Sequence, residues 1–186
     1  MDIIVSSFGG VGTSPFLSWL SPKISVNCPR DSDGLKHVTE PSRIDNLPKK
    51  FVFIHGDPVE ALISLYARKY IRPQFKKLTG SDNKATLEEY AESGEDLLGY
   101  GRQLDNWLKF EERNVLFLKY PHFWEHEQSI LDFLELPSST KLFQKKERTS
   151  RKSDVPKDVI DKLEKTYIPL NQRLETLGNF YIKHKG

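Results

Sequence analysis

The stretch Ile3-Ile4-Val5-Ser6-Ser7-Phe8-Gly9-Gly10-Val11-Gly12-Thr13-Ser14-Pro15-Phe16 decides the reading of this chain. Residues 2–8 read as a buried strand, because Ile3, Ile4 and Val5 are β-branched and the run stops at a glycine pair. A helix is expected from Ser14, whose hydroxyl can cap free N–H groups, with Pro15 at the first helical position. Phe16, Leu17, Trp19 and Leu20 give that helix an apolar face, and Ser21-Pro22 ends it. Between strand and helix, three glycines allow positive φ and close approach of the backbone to an anion. The free N–H groups and positive dipole end of the helix point at the same place. Gly9, Gly10, Val11, Gly12, Thr13 and Ser14 therefore read as a phosphate-binding turn, against the alternative of a tight turn with no ligand. It is not a Walker A loop. That pattern needs a lysine directly before the hydroxyl residue, and here Gly12 precedes Thr13, which disfavours ordinary ATP or GTP hydrolysis.

Outward from this turn, residues 23–27 read as a short second strand and residues 28–49, with four prolines and glycines, as loop. Residues 50–55, KFVFIH, are a clear strand, followed by a helix from Asp57-Pro58 to about Tyr70. Residues 71–84 read as a polar basic loop, residues 85–110 as a helix or helix pair, and residues 114–119, NVLFLK, as a third strand. Helical periodicity returns from Phe123 to Leu134. It returns again along Ile160, Leu163, Tyr167, Leu170, Leu174 and Leu177, with Pro169 expected to kink or break the helix and Gly178 to cap it. Strands separated by crossover helices predict one α/β domain over residues 1–186. It should have three layers, a mostly parallel central sheet and helices on both faces.

The 186 residues carry a net charge of +2, one cysteine and no apolar run near the ~20 residues of a membrane span. Cys28 alone excludes an intramolecular disulfide and a cysteine-based zinc site. The N-terminal residues lack the pattern of a signal peptide, so a soluble, cytoplasmic protein is expected, with no membrane partner. The near-zero charge disfavours nucleic acid, but it hides segregation. Residues 141–152 hold six bases and one acid, whereas residues 84–112 hold eight acids and three bases. The basic stretch is either a solvated face or an anion clamp.

Taken in order, these motifs resemble the sulfotransferase family, whose P-loop NTPase-like fold binds 3′-phosphoadenosine 5′-phosphosulfate (PAPS). Residues 7–16 lie on the family's first loop, keeping Gly12 and the hydroxyl pair Thr13 and Ser14. Residues 55–66 lie on its second motif, with Pro58, Glu60, Ser64 and Tyr66 in register. Trp107 followed by residues 114–120, then residues 130–136 and 170–178, resemble later family segments. The resemblance implies transfer of a sulfuryl group from PAPS, with no metal, to a small-molecule or carbohydrate acceptor. It implies that Ser64 touches the 3′-phosphate. It also implies that the basic stretch with Arg148, Arg151 and Lys152 closes over that phosphate.

Leu35-Lys36-His37 sits where the family carries its base, making His37 the expected catalytic residue with Glu40 as substitute. The family's first-loop lysine aligns with Gly10 and its second-motif arginine with Gly56, so other cations must replace them or catalysis is impaired. Lys36, Arg43, Arg68 and the basic stretch are the candidates. Two alternatives follow: a nucleotide-binding domain that lost transfer, and a kinase-like phosphotransferase, which the missing lysine disfavours. His55 is expected to end its strand without a further role, His122 and His126 to pair at the surface, and Trp19, Trp107 and Trp124 to fill the core.

Overall fold

A computed structural model describes residues 1–145 and 149–186. Four strands form one open sheet in the order β1 (Ile3–Ser7), β2 (Lys50–His55), β3 (Asn114–Lys119) and β4 (Phe180–Lys183). The first three are parallel, with Ile3 opposite Lys50 and Lys50 opposite Asn114, and β4 is antiparallel to β3. β1, β2 and β3 are almost wholly buried, which explains their unbroken apolar sequences.

Alternation along the strands divides the core. Phe51, Phe53, Val115 and Phe117 face one side and pack on α2 (Pro58–Ala67), α3 (Ile71–Thr79), α4 (Leu87–Ser93), α5 (Tyr100–Lys109) and α7 (Lys157–Leu177). Val52, Ile54, Leu116 and Leu118 face the other, against α1 (Thr13–Leu20) and α6 (Glu127–Leu134). The chain is therefore α/β with helices on both faces of a mostly parallel sheet.

Several local expectations change. Residues 23–27 form no strand, only a single bridge between Ile3 and Val26. The Asn27 side chain takes over the pairing: its Oδ1 accepts from the Val5 N–H at 2.8 Å and its Nδ2 donates to the Val5 carbonyl at 3.0 Å. Most of the expected loop at 71–84 is α3, because Ile71, Phe75 and Leu78 recur at helical spacing and turn inward despite the polar residues between them. α1 begins at Thr13 rather than Ser14, with Gly12 in the left-handed region as its cap and no side-chain cap at all. α7 runs unbroken through Pro169, and Gly178 caps it as expected. His122 and His126 lie on a 3-10 turn, where residues four apart do not share a face; His122 pairs with Glu125 and His126 stacks on Phe180.

Candidate functional site

The turn after β1 is held from below by side-chain amides. Gln74 of α3 donates to the Phe8 carbonyl at 2.9 Å, and Gln103 of α5 donates to the Ser7 carbonyl at 3.3 Å and to Val38 at 2.9 Å. The Thr13 hydroxyl donates to Ser7 Oγ at 2.7 Å. Gly10 (φ +71°) passes so close to α2 that a Cβ would stand 2.9 Å from the Ala61 carbonyl oxygen. Among the described residues, nothing accepts a hydrogen bond from the N–H groups of Val11, Gly12, Thr13 or Ser14, which lie at the start of α1, where the helix dipole adds positive potential.

A basic side chain reaches this turn. The Lys36 ammonium donates to Ser14 Oγ at 2.5 Å and to the Pro29 carbonyl at 3.0 Å. Burial holds its pKa below the usual lysine value, against the pull of Asp31. Asp31 accepts the Lys36 N–H at 2.9 Å on one oxygen and pairs with Lys77 of α3 on the other. His37 lies beside β1, its Nδ1 3.1 Å from the Ser7 carbonyl and 3.4 Å from Ser7 Oγ. Donation from Nδ1–H to that carbonyl leaves Nε2 as the basic nitrogen. Burial pushes the imidazole pKa down to about 4, so the ring is neutral at pH 7. It lines a cavity of about 560 Å³ together with Glu40, Arg43 and Lys77.

The turn after β2 is built differently. Asp57 caps α2, its Oδ1 accepting from Val59 N at 2.8 Å and Glu60 N at 3.0 Å. Ser64 lies one turn beyond Ala61, on the face of α2 that meets Gly10. Arg68, a further turn along, donates from Nε to the Ser64 carbonyl at 3.0 Å. Lys152 is engaged by acids: its ammonium lies 2.9 Å from Glu164 and 3.5 Å from Asp57. Burial opposes its charge, but Glu164, Asp57 and Glu60 outweigh that and raise its pKa. Ser150 donates to Glu60 at 2.5 Å, Arg151 is exposed, and Arg148 lies outside the described residues.

Trp107 is fully buried, but Trp19 and Trp124 line an aromatic cavity of about 390 Å³ with Gly12, Pro15, Tyr120 and Phe143. Their indole N–H groups donate to the Lys141 and Phe143 carbonyls, both at 2.8 Å, and so pin the start of the basic stretch beside α1. His55 is fully buried with neither ring nitrogen hydrogen-bonded; burial, with the Lys119 charge, pushes its pKa down to about 3. Among the described residues, no cluster of His, Cys, Asp or Glu is placed to hold a metal ion, and no helix is long and apolar enough to cross a membrane.

The structure thus brings residues 9–14, Lys36 and His37 to one end of β1 and places Ser64 and Arg68 on the helix packed against that turn. It sets Lys152 among carboxylates instead. Sequence reasoning missed Asp31, Gln74, Lys77 and Gln103. The helical phase of Ile71, Phe75 and Leu78 could have revealed Gln74 and Lys77, whereas Asp31 sits in a loop without periodicity. The chain matches no protein-family model, no curated protein and no solved structure.

Proposed function

We propose that this chain is a sulfotransferase of P-loop NTPase-like fold that uses PAPS to sulfate a hydroxyl or amine of a small-molecule or carbohydrate acceptor. The observation that carries the reading is the Lys36 ammonium, 2.5 Å from Ser14 Oγ at the mouth of a turn whose four N–H groups have no acceptor among the described residues. A cation absent from position 10 is thereby supplied from position 36. When bound, PAPS supplies the sulfuryl group and a bisphosphate leaving group. The N–H groups of Val11, Gly12, Thr13 and Ser14, with Lys36, hold the 5′ end and neutralise charge on it. Ser64 and Arg68 hold the 3′-phosphate, with Arg68 in place of the arginine missing at Gly56. The cavity of Trp19, Trp124 and Phe143 receives the base by stacking. His37, neutral at pH 7, takes the acceptor proton on Nε2; its low pKa keeps the free base fully populated but makes it a weak one.

One observation favours a second reading, a nucleotide-binding domain without transfer: Lys152 is tied to Asp57 and Glu164. Calorimetric titration with 3′-phosphoadenosine 5′-phosphate tests both. Saturable binding is expected, and its absence overturns both. Transfer of labelled sulfate from PAPS to a panel of acceptors then separates them. Transfer lost in His37→Ala with nucleotide affinity retained supports the first reading; binding without transfer to any acceptor supports the second.

A further inference from the structure

We propose that Asp31 is a positioning residue that fixes Lys36 and Lys77 as a pair of ammonium groups beside the glycine turn, making that end of the sheet a site for a divalent anion. The proposal rests on the anion site assigned above and adds two residues to it. Asp31 has a side chain only 4% exposed and a φ of +60°, a backbone state that a non-glycine residue adopts at a cost. Its two oxygens do separate work: one accepts the Lys36 N–H at 2.9 Å, and the other pairs with the Lys77 ammonium. The first contact fixes the backbone from which the Lys36 ammonium reaches Ser14. The second ties α3 to the same spot, one turn after Gln74 of that helix grips the Phe8 carbonyl.

Lys77 and Arg68 push the Lys36 pKa down by like-charge repulsion, and the Asp31 carboxylate pulls it back up. The groups acting on Lys36 are Asp31, Lys77, Arg68 and Cys28; those acting on His37 are Asp31, Lys36 and Lys77. Among the described residues that act on Lys36, its own ammonium, Lys77 and Arg68 set three cations against the Asp31 carboxylate. That excess suits a phosphate dianion or a phosphosulfate better than a monovalent anion.

Lysine 13Cε chemical shifts, followed from pH 7 to 11 without nucleotide, test the arrangement. Asp31→Asn keeps the shape and the acceptor for Lys36 N–H but removes the charge. The Lys36 titration midpoint is expected to fall by about one pH unit. Lys77→Met removes a like charge and moves the midpoint the other way, and Asp31→Glu restores it. An unchanged Lys36 midpoint in either charge-removing variant overturns the proposal, and should Asp31→Asn fail to fold, the Lys77→Met result decides alone. A parallel titration with 3′-phosphoadenosine 5′-phosphate tests the site itself. In the wild type, affinity is present below the Lys36 pKa and lost above it, and in Asp31→Asn that loss begins at lower pH. If the Lys36 midpoint moves as expected while the wild type binds no nucleotide, the Asp31 arrangement stands and the nucleotide reading falls.

Discussion

Two turns leave the same end of two neighbouring parallel strands, and they are built in opposite ways. After β1, three glycines in the left-handed region carry the chain into α1, no side chain caps the helix, and four N–H groups have no acceptor among the described residues. After β2, the chain enters α2 through Asp57, whose carboxylate already accepts two of the first N–H groups. A carboxylate at a helix start does what a bound phosphate does there: it satisfies the donors and balances the dipole. The second turn is thus closed to an anion at its N-terminus, and Lys152 sits on its carboxylate. The resemblance implies different parts of the ligand at the two turns, the 5′-phosphosulfate at the first and the 3′-phosphate at Ser64 beyond the second. In the proposed site, the 5′ end of the ligand therefore belongs at the first turn, and α2 contributes only from its side, through Ser64 and Arg68.

The sharpest way to break this comparison is to add one methyl group to the open turn. Gly10→Ala places a Cβ 2.9 Å from the Ala61 carbonyl oxygen at φ +71°, so backbone must move as well as strain. The expected destabilisation is about 3 kcal/mol, at the upper end for a left-handed non-glycine residue. Gly34→Ala, at φ +72° with open space around it, is the control and should lose about 1 kcal/mol. Denaturant unfolding of both measures the difference. Equal losses would mean that contact with α2 does not define the open turn.

Each turn also has a neutral histidine near it, His37 half-buried and His55 fully buried, and acid distinguishes them. His37 has the Ser7 carbonyl as partner, whereas His55 has none. Both folded pKa values, about 4 and about 3, lie below the ordinary imidazole value of 6.5. In that window the unfolded chain binds the protons, so stability is full above pH 6.5 and falls as pH drops through 4 and then 3. For His55 the fall reaches roughly 3 kcal/mol by pH 4. His55→Leu should flatten the profile between pH 6.5 and 3 more than His37→Leu does. A His55→Leu profile parallel to the wild type would remove His55 as its source.

The three parallel strands were legible because each is a short apolar run buried on both faces, and β-branched and aromatic residues at that length leave little alternative. The glycine turn was legible for the same local reason. What sequence could not supply is every interaction made across the chain. The strand expected at 23–27 fails because the Asn27 side chain, not its backbone, does most of the pairing with β1. α3 was hidden by Arg72, Pro73, Lys76 and Lys77, which are polar or helix-breaking by type yet sit outside its buried stripe. The cation that reaches the glycine turn comes from a loop 22 residues beyond Ser14, held by Asp31. No spacing rule connects those positions.

The closed turn can be opened. Asp57→Ala frees the Val59 and Glu60 N–H groups from the cap and removes one of the acids on Lys152. Loss of the cap should cost about 1 kcal/mol. If the comparison is right, the opened N-terminus also gains weak affinity for inorganic phosphate, read as a salt-controlled rise in melting temperature with phosphate that the wild type lacks at that site. No such gain would mean that Asp57 is a cap and nothing more.

The smallest effect is the most specific. Ser64 is half-buried, its hydroxyl has no hydrogen-bond partner among the described residues, and it lies one turn beyond Ala61, whose backbone Gly10 touches. Removing one hydroxyl–phosphate hydrogen bond should weaken binding by about 1 kcal/mol, roughly fivefold. The loss should appear only for a ligand with a 3′-phosphate. Ser64→Ala should therefore weaken 3′-phosphoadenosine 5′-phosphate and leave adenosine 5′-phosphate unchanged. Equal loss for both would place Ser64 in general support of the turn rather than against the 3′-phosphate. Unchanged affinity for both ligands would take the Ser64 hydroxyl out of the site and leave the open turn, Lys36 and Lys77 to carry it.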